Sequence, residues 1–149
     1  MIGQTFRLKP DPVFAAYSGQ SGTESDIVGR VSMKVPHFDL TDRVDIDHGN
    51  GTLRRHEVYF TGTYGRSAMQ VSYVQLPPVA TLGLGSREEI NAQGDINFYE
   101  NWQAFAAIRR DLLSNQFLDT EYGIGYEDEC LAVSFAYRRK YTNDIVQGV

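Results

Sequence analysis

The feature that most restricts the fold of this chain is the alternation of apolar and polar side chains in several long runs. Between positions 90 and 98 every second residue is apolar or small, and the residues between them are all polar. Successive side chains of a β-strand point to opposite faces of the sheet, so a period of two predicts a strand. Runs 38–47, 117–126 and 130–141 alternate in the same way, and 26–34, 53–63 and 67–76 alternate more weakly.

Turn-forming residues separate these runs. The sequence His48-Gly49-Asn50-Gly51 contains the Asn-Gly pair of tight hairpins, which predicts a positive φ at both central residues. Between 101 and 117 apolar residues also recur at helical spacing, so a helix is the alternative there. The strand patterns on both sides favour a strand over 102–110 followed by a turn. The chain is therefore predicted to be all-β, an antiparallel up-and-down meander of about eight strands.

Composition agrees with this fold class and excludes several functions. The 149 residues include nine Tyr and eight Phe, residue types that are enriched in strands, and 14 Gly, which suits the many turns of a β protein. The net charge of -5 argues against a general nucleic-acid-binding protein, which needs a basic surface. A run of 18 or more apolar residues, the signature of a transmembrane helix, does not occur in the sequence.

The same alternation fits two different barrels. In a soluble lipocalin-like barrel the apolar face points inward and binds an apolar ligand, whereas in a membrane barrel it contacts lipid and the polar face lines a wet lumen. Runs of about 9 to 11 residues, long enough to cross a bilayer, favour the membrane barrel. Aromatic residues near the ends of the runs favour it too, because they form interfacial girdles. We therefore expect part of a large transmembrane β-barrel, with the soluble barrel as the alternative.

Alternation also assigns individual residues to the two sides. The residues predicted to face lipid are Ile90, Ile96, Phe98, Leu118, Tyr122, Ile124, Leu131, Val133, Phe135 and Tyr137. The polar residues predicted to face the lumen are Asn91, Gln93, Asp95, Asn97, Asp119, Glu121, Ser134, Arg138 and Lys140. The alternation predicts that Arg139 points to the side of the sheet opposite Arg138 and Lys140.

Nothing in the sequence points to catalysis. His37, His48 and His56 lack the spacing of metal ligands, and they fall at a turn or near the ends of strands. A serine with the spacing of a nucleophile elbow and matching His and Asp partners is not found. We expect no enzymatic activity, no catalytic residues, no metal and no cofactor.

Several short motifs follow one another in a specific order. The most specific is Gly123-Ile124-Gly125-Tyr126-Glu127-Asp128-Glu129-Cys130, followed by an alternating strand that ends in Arg138-Arg139-Lys140-Tyr141-Thr142. It is preceded by motifs at 26–31, 39–43, 54–57, 87–90, 101–102 and 110–112. Together, over about 6 to 142, they resemble the C-terminal barrel of the LptD family in its alphaproteobacterial form. LptD proteins assemble lipopolysaccharide in the outer membrane of Gram-negative bacteria.

The resemblance implies a translocon that inserts lipopolysaccharide into the outer leaflet of the cell outer membrane. It further implies two protein partners, the plug lipoprotein LptE and a periplasmic bridge protein that delivers lipopolysaccharide. The family's periplasmic N-terminal domain, early strands and final strand have no counterpart in this sequence. We therefore expect residues 1–149 to be a C-terminal barrel fragment.

Cys130 is the residue on which the resemblance bears most directly. In some relatives two adjacent cysteines stand at this point and form disulfides to the N-terminal domain, whereas here Cys130 is followed by Leu131. Because this is the only cysteine of the chain, an interdomain disulfide would need a partner outside it. An oxidising periplasm would allow that bond.

Overall fold

The computed structural model describes residues 1–4, 24–78 and 85–141. Within them the chain is all-β, and nine antiparallel strands form one sheet in sequence order, which confirms the predicted up-and-down meander. The strands are β1 (Ile2–Gly3), β2 (Ile27–Val35), β3 (Phe38–Ile46), β4 (Leu53–Tyr64), β5 (Ser67–Leu76), β6 (Arg87–Tyr99), β7 (Trp102–Asp111), β8 (Gln116–Glu127) and β9 (Ala132–Lys140).

The structure decides two local predictions, that of a strand over 102–110 and that of a tight turn at Asn50-Gly51. The ambiguous segment is a strand, β7, followed by a turn over 112–115, as the flanking patterns indicated. The prediction of a positive φ at both residues of Asn50-Gly51 is wrong, because of these two only Gly51, at 70°, has one. Asp47 explains the difference: its Oδ1 accepts hydrogen bonds from the N–H groups of Gly49, at 2.8 Å, and Asn50, at 3.2 Å. This side chain organises a longer loop instead of a two-residue turn.

The ninth strand, β1, was not predicted. Its two residues, Ile2 and Gly3, oppose Gly29 and Val28 of β2. The backbone of Met1 extends the contact, because its carbonyl oxygen accepts a hydrogen bond from the N–H of Arg30 at 2.7 Å. Two residues are too few to show a period, so only the neighbouring strand defines this element.

The two ends of the sheet differ in the length of their connections. At one end, here called the short-turn end, the strands are joined by 36–37, 65–66, 100–101 and 128–131. At the other, here called the long-loop end, the connections are 47–52, 112–115 and those that join β1 to β2 and β5 to β6, of which residues 5–23 and 79–84 lie outside the described part of the chain. Gly65 supports one of the tight turns with a φ of 59°, which a type II′ turn requires at its first central position.

The strands are staggered along the sheet. Phe38, the first residue of β3, opposes Gly62, so β4 continues past the β2–β3 turn to Tyr64. In the same way Asp95 opposes Ala68 near the start of β5, and β6 continues beyond it to Tyr99. The β4–β5 and β6–β7 hairpins are thus each displaced toward the short-turn end relative to the hairpin before them. A stagger of this kind accompanies the tilt of strands in barrels.

The sheet is a single layer. Within the described residues, only strands that follow each other in the chain are in contact. The outer edge of β9, and that of β2 beyond the short β1, have no strand paired to them in this part of the chain. The described residues contain no helix that is long and apolar enough to cross a membrane.

A hydrophobic core is not formed by the described residues. None of their hydrophobic side chains is buried, and the two polar residues that are buried are Asp26 and Glu57. Large apolar side chains are exposed instead: Phe135 is 72% exposed and Val31 is 71% exposed. Because a stable domain normally buries the apolar face of a sheet against a second layer, this face needs a cover that the described residues do not supply.

Candidate functional site

The strand registers divide the sheet into two chemically different faces. Residues that oppose each other in paired strands lie on the same face, so each row of the ladder can be followed across the sheet. Ile96 opposes Ala104, which opposes Ile124, which in turn opposes Phe135. The same face of β2 carries Ile27, Gly29, Val31, Met33 and Val35. We call this side the apolar face; it runs through all eight long strands.

The opposite side, the polar face, contains every residue that was predicted to face a lumen. Across β6–β9 its rows are Asn91–Arg109–Asp119–Lys140, Gln93–Ala107–Glu121–Arg138, Asp95–Phe105–Gly123–Ala136 and Asn97–Gln103–Gly125–Ser134. Seven of the ten residues predicted to face lipid lie on the apolar face by the same registers. Of the other three, Phe98 and Leu118 lie at bulges where the register shifts, and Leu131 precedes β9.

Ion pairs link neighbouring strands on the polar face. Glu89 accepts hydrogen bonds from the guanidinium groups of Arg87, at 2.6 Å, and Arg109, at 2.9 Å. One strand further, Arg138 Nη2 lies 2.5 Å from Asp119 Oδ2. Arg109–Glu89 and Arg138–Asp119 join neighbouring strands and are cross-strand pairs of the kind that stabilise sheets, whereas Arg87 and Glu89 both belong to β6.

The apolar face has a slanted boundary on the side of the long-loop end. Polar and charged residues of the apolar face mark it, namely His56, Gln75, Glu88, Arg110 and Arg139. From β6 to β7 the boundary shifts by two residues toward the short-turn end, because Arg110 opposes Ile90 and not Glu88. At β9 it shifts in the same direction again, because Arg139 opposes Thr120, which opposes Ile108 of β7. The apolar residues between this boundary and the short-turn end form the apolar belt, which slants in the same direction as the strands are staggered.

Polar side chains at the boundary satisfy one another. Asp42 is the one acidic residue in the apolar half of run 38–47, and its Oδ1 lies 3.0 Å from His56 Nε2. The ring of Tyr73 contacts His56 edge-on, and its hydroxyl donates a hydrogen bond to Glu88 Oε1 at 2.8 Å. The sequence showed Asp42 only as a break in an alternating run, because its partner is on another strand.

Two glycines of β8 lie beneath side chains of β7 on the polar face. A Cβ at Gly123 would lie 2.4 Å from Phe105 Cζ and 2.3 Å from the backbone oxygen of Phe135. At Gly125 a Cβ would lie 3.0 Å from Nε2 of Gln103, the end of a flexible side chain. Phe105, an aromatic residue on the polar face, is thereby held flat against the sheet at Gly123.

The apolar face also contains a shallow groove of about 660 Å³. Its floor is formed by small residues of β4, β6 and β7: Gly62, Ala92, Gly94, Ala104 and Ala106. Larger side chains form its walls, among them Phe38, Met69 and Ile108. The volume is in the range of sites for small apolar molecules.

A polar cluster lies at the long-loop end, outside the strands. Ligand-type atoms of Asp26, Asp47 and His48 lie within 4.8 Å of one another. Arg54 contacts both carboxylates: its Nε is 3.0 Å from Asp26 Oδ2 and 3.0 Å from Asp47 Oδ2. Hydrogen bonds from Arg54 lower the pKa of Asp47, whereas burial raises the pKa of Asp26. Because the Arg54 guanidinium already supplies the positive charge between these groups, the cluster is explained without a metal ion.

Cys130 is exposed in the connection between β8 and β9, at the short-turn end. Asp128 shapes this connection, since its Oδ1 accepts hydrogen bonds at 2.8 Å from the N–H groups of both Cys130 and Leu131. These backbone hydrogen bonds, with one from the Tyr126 hydroxyl, lower the pKa of Asp128. The thiol is thus held on an ordered turn where a reagent or a second thiol can reach it.

Comparison of the sequence with models of known protein families finds no match, and comparison with curated proteins finds no significant relative.

Proposed function

We propose that this chain is a segment of a transmembrane β-barrel wall in the outer membrane of a Gram-negative bacterium. The observation that carries the proposal is the pairing of a continuous apolar face with a continuous polar face in a single-layer sheet that buries no hydrophobic side chain in its described part. A bilayer supplies the cover that such an apolar face needs, and a wet lumen suits the charged face.

The dimensions of the apolar belt support this assignment. On β6 it extends from Ile90 to Tyr99, which opposes Trp102 beyond the bulge; without the bulged residue this corresponds to about 27 Å along an extended strand. With the tilt of about 40° that is typical of barrels, the belt is roughly 20 Å high, close to the apolar band of about 25 Å in outer-membrane barrels. Trp102 and Tyr126 lie together at its short-turn edge, with ring centroids 5.1 Å apart, where such barrels carry aromatic girdles.

The connections suggest which end would face the periplasm. Outer-membrane barrels have short periplasmic turns and longer extracellular loops. We therefore propose that the short-turn end is periplasmic, which would expose Cys130 to an oxidising compartment. Among the described residues, no strand pairs with the outer edge of β9 or with that of β2 beyond β1. Such edges require further strands, because unpaired backbone groups are not tolerated in a bilayer. The segment is thus proposed to be one part of a larger barrel.

Within that barrel we propose a role in placing lipopolysaccharide in the outer leaflet, as part of a translocon of the LptD type and not as an enzyme. The ordered motifs between 26 and 142 support this role, and the polar face offers a charged surface to a plug such as LptE or to the sugars of the substrate. Delivery by a periplasmic bridge protein belongs to the same proposal.

The alternative is a soluble lipocalin-like barrel that holds an apolar ligand. The groove of about 660 Å³ on the apolar face is the observation that favours it. In that protein the same face would close around a ligand, and the polar face would meet water. The two proposals therefore differ in whether lipid reaches the apolar face.

Trp102, the only tryptophan of the chain, allows a direct test. Its side chain is partly exposed at the edge of the apolar belt, so brominated acyl chains in phosphatidylcholine vesicles should quench its fluorescence. The matched control is the double variant Trp102→Phe/Tyr59→Trp, because position 59 lies on the polar face opposite Ser72. Quenching of Trp102 with little quenching of the control indole supports the membrane wall. A protein that stays in solution without detergent, with neither indole quenched, contradicts it.

A further inference from the structure

Two arginines lie on the apolar face at the boundary of the belt. Arg110 of β7 opposes Ile90 on one side and Phe117 on the other, and Arg139 of β9 opposes Thr120. Both are therefore on the side of the sheet that carries the apolar belt. Both also lie toward the long-loop end, which the proposed function places outside the cell.

Aromatic rings hold the two guanidinium groups in place. The Arg110 guanidinium carbon lies 5.2 Å from the ring centroid of Phe117, and that of Arg139 lies 4.6 Å from the ring centroid of Tyr141. The Phe117 and Tyr141 rings are themselves neighbours, with centroids 6.3 Å apart. Contact with a ring face favours a cation but leaves the edge of the guanidinium available for hydrogen bonds. The four side chains form one patch across β7, β8 and β9, here called the arginine patch.

The arginine patch has no compensating carboxylate among the described residues. On the polar face Arg55, Arg87, Arg109 and Arg138 each form an ion pair with Glu or Asp. Within the described part of the chain, neither Arg110 nor Arg139 has a carboxylate at ion-pair distance. The side-chain hydrogen bond of Arg110 goes to the neutral amide of Asn115, and Glu88 on the same face accepts a hydrogen bond from Tyr73. Two positive charges thus have no carboxylate partner among the described residues, in a chain whose net charge is -5.

We propose that the arginine patch binds the phosphate headgroup of an anionic membrane lipid. A guanidinium presents paired N–H donors that match phosphate oxygens. The occupant is a lipid because the patch adjoins the apolar belt: Ile108 and Ile90, which border Arg110, would meet acyl chains while the phosphate meets the guanidinium groups. Snorkelling of long basic side chains to a headgroup layer is consistent with this position. This inference rests on the proposed membrane location but concerns a lipid bound to the outside of the wall.

The test uses the whole chain in non-ionic maltoside micelles and measures bound lipid by native mass spectrometry. Three probes are compared: short-chain phosphatidylglycerol, short-chain phosphatidylcholine and inorganic phosphate. The variant is Arg110→Gln/Arg139→Gln. The control is Arg138→Gln/Lys140→Gln, which removes the same charge from the polar face of the same region. Circular dichroism and the emission of Trp102 establish that both double variants remain folded.

Each basic residue near an anionic headgroup layer strengthens binding by roughly fivefold, so Arg110→Gln/Arg139→Gln should weaken phosphatidylglycerol binding roughly thirtyfold. The control should bind it as the native chain does, and inorganic phosphate should not bind. Equal binding of phosphatidylglycerol and phosphatidylcholine, or equal losses in both variants, overturns the proposal. Tight binding of inorganic phosphate overturns the assignment to a lipid.

The same preparation separates this inference from the proposed function. Quenching of Trp102 by brominated phosphatidylcholine depends on membrane contact and not on the two arginines. Quenching without a preference for phosphatidylglycerol overturns the arginine patch alone. Absence of quenching overturns both.

Discussion

The ring of Phe105 on β7 lies directly against Gly123 of β8, on the polar face of the sheet. A Cβ at position 123 would come within 2.4 Å of the ring and 2.3 Å of the backbone oxygen of Phe135 on β9. Glycine at this position therefore lets three strands approach each other closely. The contact gives the Phe105 ring a packing surface on the neighbouring strand of the polar face.

We expect Gly123→Ala to destabilise the sheet by about 2 to 3 kcal/mol, because the clash with the Phe135 oxygen is relieved only by moving a strand. Gly125→Ala is the matched control and should cost less than about 1 kcal/mol, since the flexible Gln103 side chain can move away. Urea unfolding in detergent micelles, followed by Trp102 fluorescence, measures the free energy of unfolding of both variants. Equal losses of stability in the two variants would contradict the close contact at Gly123.

Glu89 joins two arginines of the polar face, so its charge matters more than that of a simple surface pair. Glu89→Gln should lower the free energy of unfolding by about 1 kcal/mol, a value kept small because the side chains of Arg87 and Arg109 are about half exposed. Asp39→Asn is the control: Asp39 lies 3.7 Å from the exposed Lys34, and its removal should have almost no effect. The difference in unfolding free energy between the two variants should become smaller in high salt, because salt screens the charges. A salt-independent loss would point to packing and not to charge.

The turn that carries Cys130 should depend on pH. The pKa of Asp128 is lowered in the folded chain by hydrogen bonds from the backbone N–H of Cys130, the hydroxyl of Tyr126 and the N–H of Leu131. A lowered pKa means that the stabilisation is complete above the ordinary carboxyl pKa, about 3.9, and is lost as the pH falls through the lower folded value. Hydrogen-exchange protection of the two amides should therefore be high at neutral pH and fall below about pH 4.

Asp128→Asn is the control for this pH dependence. Its side-chain oxygen can still accept the two backbone hydrogen bonds, but it carries no charge to lose. Protection of the amides at 130 and 131 should then vary little with pH in the acid range. Loss of protection in acid that is the same in both proteins would assign the effect to another group.

The proposed disulfide between Cys130 and a domain outside this chain can be tested by thiol chemistry. Its exposure in the folded structure predicts rapid labelling by a maleimide without denaturant. In the complete gene product from an oxidising periplasm, we expect a disulfide that changes mobility on non-reducing electrophoresis and disappears in Cys130→Ser. Identical mobility of the native protein and the variant would rule out this disulfide.

Much of the fold could be predicted because alternation is a local property. A run such as 90–98 assigns its own residues to two faces whatever its neighbours are, and the strand at 102–110 was favoured on the same ground. The nine polar residues predicted to share a side indeed lie on one face of the sheet. The hairpin at Asn50-Gly51 was mispredicted because Asp47, outside the turn signal, organises the loop with its own carboxylate.

The pairs that give this sheet its candidate sites could not be predicted in this way. Asp42 with His56, and Arg110 with Phe117, are joined by strand register, which the period of a single strand does not contain. The bulge at Arg109 and Arg110 shifts that register by one residue and brings Phe117 opposite Arg110.

The sequence by itself determined that the chain forms long antiparallel strands with one apolar and one polar side, because side-chain direction alternates along any strand. Only the tertiary structure decided which residues meet across strands, how the apolar belt slants, and which two arginines have no carboxylate at ion-pair distance among the described residues. It also decided that the described part of the sheet remains a single layer with its apolar face uncovered. These properties depend on register and stagger, which are set by backbone hydrogen bonds between distant segments.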